Sequence, residues 1–580
     1  MRIFALFVPV IATFEGFPAS GPARAQDCAE ILIMPEYSSG SAAGRGTGVS
    51  LSAALVKLRE WRLADPNMRI CLTFQSGTYQ LNDTLRIGLE ESGGPQAATI
   101  LRRFDSGEVI LSGGISLEKH WRQADGLWIF EVGELCGSVP QRSLFVNGVR
   151  RTAVRAPSSG FYSIAGERPR RKEGNTWLDE FQFGDDLKPE ALALNANSEL
   201  VAYHFWSASR HGVRSIDAAN KTITLNGLTS HTDDWARYAR SEKYYLLNVR
   251  SGTILDGQWI QEGDRIEYRP TAEELKALPT RTPSLILPCL PRLVHISNGA
   301  HDIRVEGLTF AYTGDRRRGY GITPAQAGVG PETEAAVAVQ SAARVAFRQV
   351  KVRATASFAF WLDRNTRSAS IVDSEIHDLG GGAVMIGDPV TAYTPIKEQV
   401  DIRSDDEIGN NRIYDGGKIR EDSVAIWIGD VGGNRIDRNI ISNFEYSALS
   451  VGWNWGGMQL SRGNTIEDNS ITQIGLGGLS DLGGIYTLGD LSGTVIRNNR
   501  ISDITASRYG GFGIYLDRES SGIDVSNNRV SATRDAPIAL HFAYRNRIAG
   551  NSLCPTAPPS ILVIKPGKSG NTIGDNECSK

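Results

Sequence analysis

An alternation of apolar and polar positions returns every two or three dozen residues along the second half of the chain. Five strand-length runs share one register, at residues 425–429, 448–452, 484–488, 513–517 and 537–541. Alternate side chains of a strand point to opposite faces, so the second and fourth residues of each run lie on one face. These positions hold the core-type pairs Ile426/Ile428, Leu449/Val451, Ile485/Thr487, Ile514/Leu516 and Ile538/Leu540. Self-similarity at this period predicts an all-β solenoid, a right-handed parallel β-helix.

An asparagine recurs behind these runs, each time after a β-branched strand, at Asn439, Asn469, Asn499 and Asn528. Such a repeat predicts stacked turns, because the asparagine side chain can bond neighbouring backbone and the residue tolerates a left-handed φ. The register also extends upstream to 336–340, 359–363 and 383–387, and downstream to 560–564. Stacked at about 4.8 Å each, these coils would form a face on the order of 40 Å long.

The chain is predicted to divide into four segments. Residues 1–25 indicate a cleaved signal peptide, since an apolar run from Ile3 to Phe14 precedes Ala23-Arg24-Ala25. Residues 26–120 would hold the first coils and a helix over 50–64, which caps the open end of the solenoid. Hairpin-like strands break the repeat in residues 121–291, which predicts an inserted β-rich subdomain. Residues 292–580 form the main β-helix and carry the groove.

Charge and cysteine content bear on the binding partners and the cellular compartment of the protein. The formal net charge of −3 favours neither nucleic acid nor an anionic membrane as partner, and no stretch after the signal is long and apolar enough to span a bilayer. The six cysteines lack the spacing of a zinc site, so we expect disulfides. Cys28–Cys71 and Cys554–Cys578 would each cross-link one end of the solenoid. We therefore expect a secreted or periplasmic monomer.

The opposite face of the same strands carries the candidate chemistry. The third and fifth positions of the runs include Trp427, Tyr486, Tyr515, Asp517 and His541, and Asp430, Trp453 and Trp455 lie just beyond them. We expect these side chains to be exposed in one groove. Aromatic planes beside carboxylates suit a polysaccharide or oligosaccharide, whose ring faces are apolar and whose hydroxyls bind charged groups. Coverage of the aromatics by loops or by the insertion is the competing interpretation.

Paired aspartates in such a groove predict glycoside hydrolysis. The reaction needs one protonated carboxyl to assist the leaving oxygen and one carboxylate as nucleophile or base. We select Asp481, in a glycine-flanked turn, and Asp517, at the end of the following strand, with His541 one coil further on to orient it. Asp363, Asp430 and Asp490 are kept in reserve. No metal site is predicted and hydrolysis requires no cofactor.

Five segments carry a resemblance to a known family, at residues 142–157, 259–270, 303–310, 479–489 and 509–517. They resemble the secreted β-helix enzymes of glycoside hydrolase family 141, whose members act on plant cell-wall glycans as α-L-fucosidases or xylanases. The resemblance implies two catalytic aspartates, which Asp481 and Asp517 would fit. The chain departs from the family's pattern at Arg518-Glu519, where an acidic residue and a glycine are expected.

Two other functions compete with hydrolysis. A polysaccharide lyase needs a base beside a group that neutralises a uronate carboxylate, for which calcium is a possible cofactor. Its candidate groups are Arg508, Arg518, His541, Tyr544 and Arg545. A non-catalytic glycan-binding solenoid is the second alternative, and there Asp517→Asn would leave function unchanged.

Overall fold

The computed structural model describes residues 28–35, 48–118, 121–133, 135–136, 140–229, 236–315, 322, 325–389, 402–453, 460–566, 568 and 570–578. The predicted signal peptide and Trp455 lie outside these residues. All-β architecture is confirmed: three long parallel sheets wind into a right-handed β-helix, and each full coil contributes one strand to each sheet.

In the described part of the chain, the first sheet has thirteen strands and the other two have eleven each. Sheet 1 comprises Ala29–Ile33, Ile70–Phe74, Thr99–Arg103, His301–Glu306, Ala343–Arg348, Ser370–Val372, Glu407–Gly409, Arg435–Asp437, Thr465–Glu467, Val495–Arg497, Asp524–Ser526, Arg547–Ala549 and Thr572–Ile573. Sheet 2 comprises Gly77–Gln80, Val109–Ser112, Thr309–Ala311, Lys351–Thr355, Glu375–Leu379, Arg412–Tyr414, Ile440–Phe444, Ser470–Ile474, Arg500–Ile501, Arg529–Ser531 and Ser552–Cys554. Sheet 3 comprises Leu85–Ile87, Val294–Ile296, Ala335–Val339, Phe358–Leu362, Val384–Ile386, Ile426–Ile428, Leu449–Val451, Gly483–Thr487, Phe512–Leu516, Ile538–His541 and Ile561–Lys565.

Sheet 3 is the predicted column of repeats, and its register is as the sequence indicated. Trp427 pairs with Ser450, Ser450 with Tyr486, and Tyr486 with Tyr515. The alternate residues Ile485 and Ile514 are fully buried in the main core inside the coils. Tyr486 and Tyr515 instead belong to a separate cluster on the outer side of the sheet.

The recurring asparagines form a buried ladder. Asn439 donates from Nδ2 to Oδ1 of Asn469, and Asn469 donates in turn to Asn499, each at 3.0 Å. Each side chain also donates to a backbone carbonyl of the preceding coil, as Asn469 does to Ile436 at 2.9 Å. The left-handed φ is found at the preceding residue, for example Asp468 at 57°, and not at the ladder asparagine. Stacked turns are therefore confirmed, but side-chain bonding accounts for the asparagine.

The predicted end structures are present. Helix α1 spans Leu51–Ala64, and the Ser50 side chain accepts a bond from the backbone N–H of Ala53 at its start. All six cysteines lie among the described residues and form Cys28–Cys71, Cys136–Cys289 and Cys554–Cys578. No helix in the described ranges is long and apolar enough to cross a membrane.

The insertion contains a second set of sheets, largely antiparallel. One sheet comprises Gly114–Ser116, Leu285–Pro288, Leu144–Val146, Val149–Ala153, Gln258–Glu262, Arg265–Tyr268, Leu127–Glu131 and Trp121–Ala124. Another comprises Arg155–Ala156, Lys243–Leu247, Tyr162–Glu167, Glu180–Phe183, Thr222–Leu225, Ser207–Asp217 and Glu199–His204, and Arg171–Glu173 pairs with Thr176–Leu178. A short helix, α2, spans Ala272–Ala277, and 3₁₀ turns occupy Leu89–Glu91, Pro189–Ala191 and Gln326–Gly328.

The insertion leaves the solenoid at one particular corner. It follows the sheet 2 strand Val109–Ser112 and returns before the sheet 3 strand Val294–Ile296. In later coils the same corner holds the turns 415–425, 475–482 and 502–511, so the insertion can lie along them. It does so: Tyr245 donates its hydroxyl to Glu421 at 2.6 Å, and Lys243 donates to the Ser507 hydroxyl at 2.6 Å. This docking places the insertion beside the turn that carries Asp481.

Candidate active site

Asp481 lies in the corner turn that enters the strand Gly483–Thr487. Its backbone is left-handed, with φ 57°, and its N–H donates to the carbonyl of Tyr509 in the next coil at 2.8 Å. Tyr446 donates its hydroxyl to the carbonyl of Asp481 at 3.1 Å. Gly510 packs so closely that a Cβ there would lie 2.8 Å from the Asp481 nitrogen. Neighbouring coils on both sides therefore fix this turn.

The carboxyl of Asp481 is held in an environment that favours its protonated form. Its Oδ1 is buried and receives no hydrogen bond from any residue of the described ranges. Burial, and then the charge of Asp517, raise the pKa of Asp481 to about 6. The hydroxyls of Tyr509 and Tyr515, which lie 3.0 Å apart, partly offset this rise in the pKa. Asp481 can thus carry a proton at mildly acidic pH.

Asp517 follows the strand Phe512–Leu516 in the next coil and has a different environment. Its side chain is buried, but both carboxylate oxygens have partners: the Tyr486 hydroxyl donates to Oδ2 at 2.6 Å, and Nδ1 of His541 lies 2.7 Å from Oδ1. Gln326, from the loop that covers this face, donates to the Tyr486 oxygen at 3.0 Å. Both oxygens of Asp517 thus have polar partners, whereas Oδ1 of Asp481 has none among the described residues, so the two aspartates differ in what surrounds them.

The expectation of exposed aromatics in this groove is wrong. Trp427 is 0% exposed, Tyr515 1% and Tyr486 3%. Trp427 packs edge-on against Trp453, which is also buried, with ring centroids 5.7 Å apart. The competing interpretation was that loops or the insertion cover these rings, and such coverage is seen where Gln326 bonds Tyr486. The tyrosines therefore present hydroxyls to the aspartates, and the two tryptophans form no open platform.

The reserve aspartates have structural partners. Asp430 is buried, accepts the N–H of Asp388 at 3.0 Å and faces Arg364 at 3.5 Å. Asp363 accepts from the Ser341 N–H and the Thr366 hydroxyl. Asp490 pairs with Arg462 at 2.9 Å. Their positions differ from that of Asp481, whose Oδ1 has no such partner.

Four residues at the site were missed by the sequence reasoning: Tyr446, Tyr509, Gln326 and Phe205. The Phe205 ring of the insertion stacks on Tyr509, with centroids 5.9 Å apart and planes at 11°, and its carbonyl accepts the Ser480 N–H at 2.8 Å. Tyr509 lies in a segment of the family resemblance and could have been selected. Phe205 and Gln326 reach the site only through docking of non-repetitive segments, for which the periodicity gives no signal.

Among the residues that the structure describes, no group of three His, Cys, Asp or Glu side chains could hold a metal ion. Two of the lyase candidates have partners. Arg508 is engaged with Glu242 of the insertion at 3.0 Å, and His541 is engaged with Asp517.

Comparisons with known proteins bear on the fold. Residues 399–553 match the family model described as "Right handed beta helix region", and no curated protein matches the chain. A solved structure named "Glycoside hydrolase" is 20% identical, covers 95% of this chain and 97% of its own, and superposes with a TM-score of 0.74. Another, "The complex structure of XylC with xylose", is 11% identical, covers 94% of this chain and 86% of its own, and has a TM-score of 0.50. At these identities the similarity is one of fold: over nearly its whole length the chain has the β-helix architecture of a solved glycoside hydrolase.

Proposed function

We propose that this protein hydrolyses glycosidic bonds in a polysaccharide or oligosaccharide, with Asp481 as general acid and Asp517 as nucleophile or general base. One observation carries the proposal: two carboxyls act on each other in one site and have different surroundings. Burial raises the pKa of Asp481 to about 6, whereas Asp517 is bonded on both oxygens. A carboxyl with a raised pKa beside a second, firmly positioned carboxyl is the arrangement that glycoside hydrolysis needs.

The two aspartates would have different roles in the reaction. Protonated Asp481 would give its proton to the glycosidic oxygen as the bond to the anomeric carbon breaks, which neutralises the leaving group. As that bond breaks, Asp517 would either attack the anomeric carbon or remove a proton from the attacking water. In the first case water would then hydrolyse the glycosyl ester on Asp517, with Asp481 taking the proton of that water. Tyr486 and His541 hold the Asp517 carboxylate in place, so its orientation needs no rearrangement during the reaction.

The sugar contacts would come from the rim, since Trp427 and Trp453 are buried. The stacked pair of Phe205 and Tyr509 is partly exposed beside Asp481 and offers an aromatic surface to a sugar ring. The names of the two structural relatives are consistent with a sugar substrate. Export, proposed from the signal-like N-terminus, fits the three disulfides, which persist in oxidising compartments.

The test is a panel of polysaccharides and aryl glycosides assayed with wild-type protein, Asp481→Asn, Asp517→Asn and the control Asp468→Asn. Asp468 is an exposed aspartate with the same left-handed backbone as Asp481. We expect both site variants to lose hydrolysis of natural glycans by roughly 10²–10⁴-fold, as for loss of a general acid or base. The hydrolytic activity of Asp481→Asn should recover on aryl glycosides, because their leaving groups need no protonation. The activity of Asp517→Asn should not recover on these substrates. Asp468→Asn should remain active.

Three results would contradict the proposal. Turnover retained in Asp517→Asn would exclude its role. Products with near-ultraviolet absorbance from a new double bond would identify a lyase. Glycan binding without turnover across the panel would indicate a non-catalytic solenoid.

A further inference from the structure

A cluster of exposed cations lies immediately beyond Asp517 towards the C-terminal end of the solenoid. We call it the basic patch: Arg518, Arg545, Lys565 and Lys568, with the rings of Phe542 and Tyr544. All four cationic residues are exposed, and Phe542 is 36% exposed. The chain as a whole is slightly acidic, with a formal net charge of −3, so the patch is a local feature.

The stacking of coils places the patch in register with the candidate active site. Leu516 pairs with Leu540 and His541 with Lys565, so Asp517, His541 and Lys565 follow one another on successive coils. Phe542 donates its N–H to the carbonyl of Lys565 at 2.9 Å. At about 4.8 Å per coil, the patch extends roughly 10 Å from Asp517 along the groove direction.

The cations of the patch have no acidic partner among the residues that the structure describes. No ion pair joins any of the four to an acidic side chain of the described residues, whereas Arg497 and Arg547 on sheet 1 pair with Glu467 and Asp524. Arg545 does act electrostatically on Asp490, but that carboxylate is paired with Arg462. In the described parts of 518–522, 541–545 and 561–568, Glu519 is the sole acidic residue. The patch therefore holds a net positive charge.

The aromatic rings contact these cations. The Lys565 Nζ lies 5.5 Å from the centroid of the Phe542 ring, and Arg545 and Lys568 each lie 5.0 Å from that of Tyr544. Such contacts hold the cationic groups at defined places without neutralising them. Cations beside aromatic rings suit a sugar that carries both an apolar ring face and an anionic group.

We propose that the basic patch is a subsite for an anionic sugar unit, one bearing a carboxylate or a sulfate, next to the bond that is cleaved. The inference rests on the proposed function of the Asp481–Asp517 site and deepens it, because it assigns an acidic glycan as the substrate class. The four cations bind the anionic group, and the rings of Phe542 and Tyr544 contact the sugar face.

Binding can be measured apart from catalysis in full-length Asp517→Asn protein. The probes are a polyuronate, the same polymer with its carboxyls reduced to alcohols, and a sulfated polysaccharide, at low and high salt. The patch variant Arg545→Glu/Lys568→Glu is compared with Arg500→Glu/Arg529→Glu. Arg500 and Arg529 are exposed register neighbours on sheet 2, so the control makes the same change in net charge on another face.

At low salt the patch variant should bind the polyuronate or the sulfated polymer about tenfold more weakly, from the loss and reversal of two exposed charges. The control should bind within about twofold of the parent, the neutral polymer should bind weakly, and salt should reduce anionic binding. Binding of one anionic polymer and not the other identifies the anion. Equal losses in patch variant and control, equal binding of the neutral polymer, or binding of neither anionic polymer would each overturn the proposal. Because turnover is not measured, failure of the proposed hydrolysis shows separately, in the activity panel.

Discussion

Replacing Asp481 with asparagine should change stability by an amount that depends on pH. Burial and the charge of Asp517 raise the pKa of Asp481 from 3.8 to about 6. Because the folded pKa lies above the unfolded value, folding takes up a proton in this window, and wild-type stability falls as pH rises from about 4 to about 6. A shift of roughly two units at about 1.4 kcal/mol each sets the cost above pH 6 at up to about 3 kcal/mol. Asparagine carries no charge, so the variant avoids this cost.

The assay is urea unfolding of wild type, Asp481→Asn and Asp468→Asn at pH 4 and pH 8. The difference in the free energy of unfolding between Asp481→Asn and wild type should favour the variant by about 2–3 kcal/mol more at pH 8 than at pH 4. The other buried carboxyls are common to both proteins and cancel in this comparison, except Asp517, whose charge acts on Asp481. Asp468→Asn makes the same substitution at an exposed aspartate with the same left-handed backbone and is the control. A pH-independent difference for Asp481→Asn would refute the reasoning that its carboxyl is proton-binding in the folded state.

Three further substitutions test the site and its scaffold. Tyr486→Phe removes the donor to Asp517 and should lower kcat/KM about 10–100-fold. It should also destabilise the protein by about 1.5–3 kcal/mol in urea unfolding, because bonds to charged groups contribute about that much; unchanged kinetics would contradict the proposed role. Gly510→Ala should destabilise by about 1–3 kcal/mol more than Gly493→Ala in urea unfolding. Both glycines have a left-handed φ, but a Cβ at Gly510 would lie 2.8 Å from a backbone atom, whereas a Cβ at Gly493 would lie 3.7 Å from its nearest neighbour; equal losses would show that no clash occurs. Asn469→Ala should cost about 2–3 kcal/mol, because it leaves its ladder neighbours unsatisfied in the interior, and a loss under about 0.5 kcal/mol would refute the importance of the ladder.

The repetitive part of this fold could be predicted because each coil repeats the same local choice. In runs such as 484–488 and 513–517, the alternation of apolar and polar residues determines which side chains face the core. Because the runs share this pattern, they stack in one register. The helix at 51–64 was predicted from its own helical periodicity and the serine at its start, and the two terminal disulfides from the cysteines near each end of the chain. Here local pattern and global structure coincide.

Burial of the outer face could not be predicted in the same way. The alternation correctly separates Tyr486 from Ile485, but it says nothing about what lies over the outer side chain. That cover comes from Gln326 and Phe205, which lie in segments without a repeat. Gln326 is 160 residues away from Tyr486 in the sequence. These segments dock through tertiary contacts. The sequence therefore predicted the stacked strands of sheet 3 but not the residues that cover their outer face.

The site chemistry depends on this cover. The outer face of a bare parallel β-helix is open to water, where a carboxyl titrates near its ordinary pKa and cannot hold a proton at pH 6. The insertion branches from the corner between sheets 2 and 3, the corner that holds the Asp481 turn several coils later. Phe205 then packs on Tyr509, and Tyr509 and Tyr515 enclose the carboxyl of Asp481. The stacked coils and the docked insertion are thus both needed to place Asp481, a carboxyl with a raised pKa, one coil away from Asp517.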